Sequence, residues 1–374
     1  MKVRVGDITK IRTGKLDANA SSEDGQYPFF TCSRDPLRIS TYSYDCECVL
    51  VAGNGDLNVK YYNGKFDAYQ RTYIIEDDSD GKLYMPYLYL FMERYVEELR
   101  RQAIGGVIKY IKLGNLTDAL IELPVFEEQK SIVSILLKAK DLIEERNNLL
   151  KRMDELIKAR FVEMFGEPID NPMNWPVKRL KELSSLITNG NTPKGGSENY
   201  VDSGIIFLRS QNVWRNIIDL SDVAYIDEQT HRQLKKSSVH NNDILITKTG
   251  RINTENSSLG RAALYTGEDN SANINGHVYL IRLTEAVDPR FVVTILTGEA
   301  YRKYIRKVCV GGIDKRQINL DQVEDFPIIL PPLEQQIRFS EFVEQVDKSK
   351  VLIQKSLDET QLLFDSLMQK FFGG

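Results

Sequence analysis

Side chains that can hydrogen-bond to DNA bases cluster in glycine- and asparagine-rich segments of both halves of the sequence. In the second half they are Arg209, Gln211, Asn212, Trp214, Arg215, Lys248, Arg251, Asn253, Lys315 and Arg316. In the first half they are Asn54, Asn58, Lys60, Tyr62, Gln70, Arg71 and Lys109. Arginine and lysine can donate to guanine edges, and asparagine and glutamine match adenine edges. Each residue alone is equally consistent with a phosphate contact or a solvated surface group, so the prediction of DNA binding depends on the two sets together.

The sequence lacks the motifs of enzymes that act on nucleotides or DNA. It has no glycine-rich loop followed by Lys and Ser or Thr, so ATP binding is not expected. Residues 171–174 (NPMN) are similar to the Asn-Pro tetrapeptide of adenine methyltransferases but lack the aromatic fourth residue that stacks a flipped base. Residues 128–130 (EQK) match a nuclease Glu-x-Lys, but they lie at a predicted helix start, where capping is the expected role. We therefore predict a non-catalytic protein, and an enzyme in its own right is the weakest hypothesis.

The cysteines and histidines do not form a metal-binding pattern. Cys46 and Cys48 are separated by one residue, and all three histidines lie in the second half of the chain, away from them. Neither a Cys-x-x-Cys pair nor a zinc framework is present. We expect reduced cysteines in packing positions, and neither a metal nor a cofactor in this chain.

The charge and hydropathy of the chain limit its class. A formal net charge of −4 argues against a free-standing nucleic-acid binder, because non-specific DNA affinity arises mainly from basic charge. Local basic surfaces and a partner protein would then supply the attraction. No segment approaches the ~20 apolar residues that span a bilayer, and the first residues lack the apolar run of a signal peptide. We expect a cytoplasmic protein with no membrane association.

The most informative feature of the sequence is an internal repeat. Residues 123–129 (LPVFEEQ) reappear as residues 330–336 (LPPLEQQ), and Pro124 and Pro331 are 207 positions apart. Phe165-Gly166 reappears as Phe372-Gly373 at the same offset, so no gap separates these landmarks. The length of the repeated segment is therefore itself a constraint on the fold.

Each copy of the repeat predicts one long helix. Neither copy contains proline or glycine between its opening Pro and closing Gly, which is the pattern of helix boundaries. Apolar residues recur every seven positions in the first copy (Ile143, Leu150, Ile157 and Met164, beside Leu142, Leu149 and Leu156), which indicates helix-on-helix packing. The predicted partner-binding residues are Leu142, Leu149, Ile157, Leu357 and Phe364. An amphipathic helix packed on its own domain is the alternative, which a length of roughly 57 Å for about 38 residues disfavours.

The segments before the two helices share an order of elements and differ in the polar residues at their turns. Residues 47–55 parallel 242–250, residues 69–75 parallel 275–281, and residues 105–109 parallel 311–315. We therefore predict an α+β fold in which two long helices form an antiparallel coiled coil and separate two mixed α/β domains, as a pseudo-two-fold internal repeat. The predicted segments are the domains 1–122 and 167–329 and the helices 123–166 and 330–374. Two domains at a fixed distance suit half-sites on duplex DNA.

These motifs resemble those of the specificity subunits of Type I restriction-modification systems over essentially the whole chain. The resemblance depends on residues 123–129 and 330–336, each of which opens a long helix. It also depends on residues 165–176, where FGEP, NP and WP lead from the first helix into the second domain. Residues 243–250 look like the recurring strand and turn of that family.

The resemblance implies two target-recognition domains, each of which binds one half of a bipartite DNA site, and helices that set the spacer and bind methyltransferase subunits. The implied partners are double-stranded DNA, two methyltransferase subunits and two restriction subunits. S-adenosylmethionine, ATP and Mg would be used by those partners. The chain departs from the pattern at Val125, where the second copy has Pro332, and in its shorter first domain. A coiled-coil adaptor that binds proteins without recognising DNA is the alternative, and the basic, amide and aromatic residues at the turns favour DNA.

Overall fold

The computed structural model describes residues 1–193, 195–254 and 256–373. The chain forms two compact units, one of Met1–Leu149 with Ile353–Gly374 and the other of Leu150–Leu352. We call them the first unit and the second unit. Each unit combines a globular part with residues from both long helices.

The elements of the first 166 residues are, in chain order, β1 (Lys2–Arg4), β2 (Thr9–Thr13), β3 (Tyr27–Phe30), β4 (Leu37–Ile39), β5 (Tyr44–Ala52), β6 (Val59–Ala68), β7 (Thr72–Asp77), α1 (Met85–Gln102), α2 (Leu113–Thr117), β8 (Leu120–Glu122) and α3 (Phe126–Phe165). The remaining elements are β9 (Val177–Arg179), β10 (Ser184–Asn189), β11 (Ile205–Leu208), β12 (Ala224–Ile226), α4 (Glu228–Gln233), β13 (Ile244–Thr247), β14 (Thr249–Arg251), β15 (Ala262–Leu264), β16 (Ala272–Ile274), β17 (Val278–Leu283), α5 (Pro289–Thr297), α6 (Glu299–Val308), β18 (Val310–Gly311), β19 (Lys315–Gln317), α7 (Leu320–Glu324), β20 (Pro327–Ile329) and α8 (Leu333–Phe372).

The main sheet of the first unit has the strand order β2-β7-β5-β6-β3-β4. Strand β5 lies inside this sheet and is apolar on both faces, because successive side chains of a strand point to opposite sides. Val49 and Val51 pack with α1, whereas Cys48 and Leu50 pack with Phe66 on the other face. Both faces of the sheet are therefore covered around residues 48–52 of β5, whereas β2, β4 and the first part of β6 carry exposed side chains along their length.

The main sheet of the second unit has the order β10-β17-β13-β15 and repeats this arrangement. Ile244 and Ile246 of β13 pack with α5 and α6, whereas Leu245 packs on the opposite face with Leu208. Smaller sheets with the orders β12-β11-β16, β14-β19-β18 and β20-β9 complete the unit. The mixed α and β content agrees with the predicted fold class.

Long helices α3 and α8 run antiparallel where they meet in the second unit, as predicted. Lys350 Nζ of α8 lies 2.6 Å from the Asp154 carboxylate of α3. Further along α3, the Phe165 ring lies 5.7 Å from the ring of Phe339, which is earlier in α8. Rising numbers in one helix thus meet falling numbers in the other.

The first unit shows the same antiparallel pairing of α3 and α8. The Arg146 guanidinium donates a hydrogen bond to the Thr360 hydroxyl. Leu136, earlier in α3, shares a core with Met368, later in α8. Phe372 ends α8 against the ring of Tyr87, at 5.1 Å between centroids, so the last turn of α8 contributes to the core of this unit.

The predicted partner-binding residues divide between surface and interior. Leu142 and Leu149 are exposed on α3. Ile157 instead packs against the core of the second unit, Leu357 is buried, and Phe364 packs against the core of the first unit. The structure corrects the prediction for Leu357, which is buried, whereas Ile157 and Phe364 are half-buried and their partner-binding role stays a prediction. The seven-residue period marks side chains that pack without specifying whether they pack inside the chain or on another protein.

The repeated Glu-Gln motif at each helix start is explained by a buried glutamine. Gln129 is fully buried, and its amide donates to the Lys82 and Pro124 carbonyls (2.8 and 2.9 Å) and accepts from the Tyr84 N–H (2.8 Å). Gln336, also buried, donates to a proline carbonyl at 2.7 Å and accepts from the Asp288 N–H at 3.0 Å. These bonds fasten each helix start to its own globular part, which is a structural role but differs from the helix capping predicted for residues 128–130.

The Asn-Pro tetrapeptide is part of a turn that closes α3. The Asn171 side chain accepts from the Trp175 N–H (2.9 Å) and donates to the Trp175 carbonyl (2.8 Å), with a positive φ of 44° at Asn171. The Trp175 indole N–H then donates to the Phe165 carbonyl (3.1 Å) at the helix end. An unsatisfied carbonyl of the last helical turn thereby gains a partner.

Candidate nucleic-acid interface

Several loops meet at one end of the main sheet of the first unit. Strands β2 and β5 end there, and β6 and β7 begin there, as the pairs Thr13↔Tyr73 and Ala52↔Thr72 show. We define the first loop cluster as residues 14–17, 31–35, 53–58, 69–71 and 104–110. All of these loops lie within the first unit.

Backbone hydrogen bonds hold three loops of the first loop cluster together. The Gly53 N–H donates to the Arg71 carbonyl (2.8 Å), and the Gly55 N–H donates to the Lys109 carbonyl (3.0 Å). A Cβ at Gly53 would lie 2.4 Å from the Arg71 carbonyl oxygen, so this close approach requires glycine. As a result, Asn54, Arg71 and Lys109 are neighbours in space although they are distant in sequence.

The predicted residues of this cluster differ in how free their side chains are. Arg71 and Lys109 are exposed, and Asn54 is half-buried. Gln70 is exposed and donates to the Asp17 carboxylate at 2.9 Å. All four lie at the surface that the loops share.

Three other predicted residues of the first unit have internal partners. The Asn58 amide donates to the carbonyls of Cys32 and Asp56, both at 2.8 Å, and it accepts a hydrogen bond from the Lys60 ammonium. Burial lowers the pKa of Lys60 from its ordinary value. The Tyr62 ring packs on the Phe30 ring at 5.1 Å and on the Phe66 ring at 5.7 Å, between ring centres. The structure thus assigns Asn58 to holding loops together and Tyr62 to packing.

A second set of loops meets at the corresponding end of the sheet in the second unit, where β10 and β13 end and β15 and β17 begin. We define the second loop cluster as residues 209–219, 248–254, 257–261, 275–277 and 311–316. The Asn216 N–H donates to the Ala262 carbonyl (2.9 Å), and the Lys248 N–H donates to the His277 carbonyl (2.8 Å). These bonds join loops from four different parts of the sequence.

Four predicted cations come together on the small sheet of this cluster. Arg251 pairs in register with Lys315, and Gly250 with Arg316. The Ile318 N–H donates to the Lys248 carbonyl (2.9 Å), which places Lys248 at the start of the same sheet.

These four cations differ in the contacts that their side chains make within the chain. The Arg251 guanidinium lies 3.3 Å from the Asp314 carboxylate in a solvent-exposed ion pair. The Arg316 guanidinium donates to the Gly312 carbonyl (3.2 Å), and the Lys248 ammonium lies 5.6 Å from the centre of the Tyr279 ring. Lys315 is exposed. Exposed ion pairs of this kind are weak enough for a phosphate to displace the carboxylate.

Asp222 organises the other predicted segment of the second unit. Its carboxylate lies 3.3 Å from the Arg209 guanidinium and accepts from the Gln211 amide at 2.8 Å. Asn212 is only 2% exposed, and its amide donates to the carbonyls of Asp219 (3.0 Å) and Asp222 (2.8 Å). The structure corrects the prediction for Asn212, because its side chain is enclosed by its own loop and presents no group to a ligand.

Trp214 lies beside an arginine that sequence analysis missed. The Arg261 guanidinium is 3.8 Å from the centre of the Trp214 ring, and its Nε donates to the Ser257 carbonyl at 3.0 Å. Arg261 is 8% exposed, and burial lowers its pKa from the ordinary value. Trp214 itself is partly exposed, and Arg215 and Asn253 of the same cluster are exposed. An isolated arginine at a strand start gave no sequence signal of this stacking.

A basic helix face and two apolar loop tips were not predicted from the sequence. Helix α6 buries Tyr301 and Ile305, and its other side is basic. Its basic residues are Arg302, Lys303, Arg306 and Lys307. Val107 and Ile313 are almost completely exposed in the two loop clusters. A helical plot of residues 299–308 would have revealed the basic face.

Neither a metal centre nor a membrane helix is found among the residues that the structure describes. In residues 1–193, 195–254 and 256–373, no group of three or more His, Cys, Asp and Glu side chains is placed to hold a metal ion. Within the same described ranges, no helix has both the length and the apolar character needed to cross a membrane.

Comparison with known proteins identifies the family. The family model described as "Type I restriction modification DNA specificity domain" matches residues 1–152 and 172–361. The chain belongs to this family. The two matches contain the two loop clusters, so each cluster lies within a specificity-domain match.

Relatives and solved structures agree with this family. The chain is 32% identical over 206 residues to the specificity subunit of the type I restriction enzyme EcoDI from Escherichia coli, over 50% of this chain and 46% of the relative. It is 23% identical over 398 residues to the MjaVIII specificity subunit of Methanocaldococcus jannaschii, over 100% of this chain and 92% of the relative. The crystal structure of an S subunit from M. genitalium has the same fold, with a TM-score of 0.64 at 15% identity, over 100% of this chain and 96% of that one. The chain spans about half the length of the first two curated relatives that it matches, 46% in each case.

Proposed function

We propose that this chain is the DNA-specificity subunit of a Type I restriction-modification complex and recognises a bipartite DNA sequence. The observation that supports this most strongly is the pair of loop clusters at corresponding ends of the two main sheets. Each cluster joins loops from distant parts of the sequence into one surface with cationic and amide side chains. Such groups match base edges and phosphates.

The repeat supports two half-sites and not one continuous site. Each unit has its own sheet, its own loop cluster and its own buried glutamine at a helix start. Helices α3 and α8 are each 40 residues long. In this proposal each specificity domain binds one half-site, and the two helices set the gap of unspecified base pairs between them.

The long helices are also the proposed binding surface for methyltransferase subunits, because exposed apolar side chains on a helix favour protein contacts. In the first unit these side chains are Ile135, Leu137, Leu142, Leu149, Leu362 and Leu363. In the second unit they are Leu156, Val162, Ile337, Val351 and Leu352. Leu142 and Leu149 remain in the proposed partner-binding set, which the other exposed residues extend. The half-buried Ile157 and Phe364 also remain in this set, and the exposed residues take the place of the buried Leu357.

The catalytic chemistry is proposed to reside in the partners. Two methyltransferase subunits and two restriction subunits would join this chain on double-stranded DNA, in the cytoplasm. S-adenosylmethionine, ATP and Mg would be used by those subunits. The acidic net charge of −4 is consistent with a chain that recognises sequence while its partners add non-specific attraction. The basic and amide residues of the loop clusters favour DNA recognition over a protein adaptor.

Methylation mapping tests this proposal. The chain is expressed with methyltransferase subunits of its family in a host that has no other DNA methylation, and modified bases are located across the genome. We expect a single motif with two specified halves and a fixed gap. A matched strain that expresses the methyltransferase subunits alone should show no motif. Methylation without sequence preference, or a motif that is present without this chain, would contradict the proposal.

A further inference from the structure

The two loop clusters share one exposed apolar feature. Val107 has 103% of its reference exposure and Ile313 has 89%. Each follows two glycines and precedes a lysine by two positions, in the segments GGVIK (105–109) and GGIDK (311–315). Apart from these glycines and the lysine, most polar residues of the two loop clusters differ, so this shared β-branched residue is distinctive.

The backbone of each turn presents this residue to solvent. Gly105 and Gly311 have positive φ values of 116° and 129°, which only glycine adopts readily. A Cβ at Gly105 would lie 2.6 Å from the Ile108 carbonyl oxygen, and one at Gly311 would lie 2.9 Å from that of Lys315. Both turns therefore depend on glycine and place the residue two positions later at the tip.

Packing within the chain does not explain these two side chains. A scattered apolar residue on a protein surface is ordinary. Here the same type of residue occupies the same tip in two units whose other loops carry different polar residues. Neither side chain is covered by its own unit. A shared role in contact with a ligand accounts for this repetition.

The surroundings of the tips favour DNA as that ligand. Lys109 lies beside the first tip and is exposed. The second tip is beside Lys315 and Arg316, which pair with β14. These cations can hold the phosphates on either side of a groove. A two-stranded ribbon also fits the width of the major groove.

We propose that Val107 and Ile313 each contact the C5-methyl group of a thymine in the major groove, one in each half-site. This inference rests on the proposed function. The thymine methyl is the apolar group that unmodified base edges present in the major groove, so an apolar tip flanked by cations selects it. The two residues would then contribute to sequence specificity without making hydrogen bonds.

The test combines protein variants with DNA that lacks the methyl group. The full chain, purified with its methyltransferase subunits, is titrated with duplexes that contain the mapped motif. The thymines of one half-site at a time are replaced by deoxyuridine, which removes only the methyl groups. We expect wild-type affinity to fall about fourfold for the contacted half-site, because one buried methyl group is lost. Val107→Ala and Ile313→Ala should each weaken binding to thymine DNA. The affinity of each variant should then be the same for thymine DNA and for DNA with deoxyuridine in the half-site that the substituted residue contacts.

Matched variants and salt dependence separate this role from others. Leu113→Ala and Val310→Ala remove exposed apolar side chains that lie outside the two loop clusters, and these variants should bind as the wild type does. Ile313→Val should retain most of the affinity. The salt dependence of binding should not change in any of these variants, because none alters charge.

Two results would overturn the inference. One is that Val107→Ala and Ile313→Ala bind thymine DNA as tightly as the wild type does. The other is that these substitutions weaken binding, relative to the wild type, by the same factor on thymine DNA and on deoxyuridine DNA. Failure of the proposed function gives a different result, because the wild-type complex would then fail to distinguish its mapped motif from a scrambled duplex.

Discussion

The two units share a scaffold but differ in the helix that precedes each apolar tip. In the first unit, α1 ends with Arg100 and Arg101, and both are paired with carboxylates of the same helix, Glu97 and Glu98. The Arg100 guanidinium is also 3.4 Å from Asp56. The cations at this helix end are therefore largely neutralised.

In the second unit the corresponding helix, α6, retains much of its positive charge. Lys303 pairs with Glu299 at 3.1 Å. Within the described part of the chain, no carboxylate forms an ion pair with Arg306 or Lys307. Two copies of one fold can therefore carry different net charge at corresponding helices. We expect the second unit to supply more of the attraction to DNA phosphates.

The largest predicted difference between the units concerns stability. Arg282→Gln should destabilise the second unit by about 3 kcal/mol, because it leaves a buried carboxylate without its charged partner. The Asp243 carboxylate is 1% exposed and accepts from Arg282 at 2.8 and 2.7 Å. Urea unfolding of the full chain measures the loss.

The matched change in the first unit is Arg12→Gln, which removes an ion pair in which the Arg12 guanidinium lies 2.7 Å from the Glu76 carboxylate. Both side chains of this pair are partly exposed to solvent. It should cost about 1 kcal/mol or less. Equal losses for the two variants would show that the units do not differ in this way.

The next prediction concerns the salt dependence of DNA binding. The double substitution Arg306→Gln and Lys307→Gln should make the slope of log affinity against log salt less negative by about 2, since each lost phosphate contact reduces its magnitude by about 0.9. The double substitution Arg100→Gln and Arg101→Gln in α1 should change the slope by less than half as much. The measurement is a set of binding titrations at several salt concentrations with the full complex. Equal changes in slope for the two double substitutions would show that α1 and α6 contribute equally to phosphate binding.

A smaller effect is expected from the stacked pair in the second loop cluster. Trp214→Ala removes the ring that holds the Arg261 guanidinium, 3.8 Å from its centre. Affinity for the mapped motif should fall by about tenfold, which corresponds to the loss of a partly desolvated cation–π contact. Trp214→Phe should lose less affinity than Trp214→Ala, because a phenylalanine ring can still stack on the guanidinium. Competition with non-specific DNA provides the readout, and an equal loss of non-specific binding would show that the stack has no part in specificity.

The helices and their starts were predictable because the relevant signals are local in sequence. Proline, the glutamine motif and the closing glycine repeat at a constant offset, and the structure gives α3 and α8 bounds close to those predicted. The apolar period predicted helix-on-helix packing, whereas the antiparallel direction was inferred because it returns Phe371 and Phe372 to the first domain.

The candidate site was less predictable because its residues are joined by contacts between distant segments. Nothing near Asn212 in sequence reveals that Asp219 and Asp222 enclose its amide. Similarly, the partner of Trp214 is Arg261, in another loop. Ile157 shows the same limit, because a periodic apolar row identifies packing but not the packed surface. Side-chain burial in loops is set by tertiary contacts, which local patterns do not encode.

The central claim is that each loop cluster recognises its own half of the DNA site. Methylation mapping of two variants tests it most directly: Arg71→Gln with Lys109→Gln in the first cluster, and Arg251→Gln with Lys315→Gln in the second. We predict that the first variant relaxes the motif in one half and the second variant in the other half, while the gap between the halves stays constant. Changes in the same bases for both variants, or a motif that neither variant alters, would contradict the account.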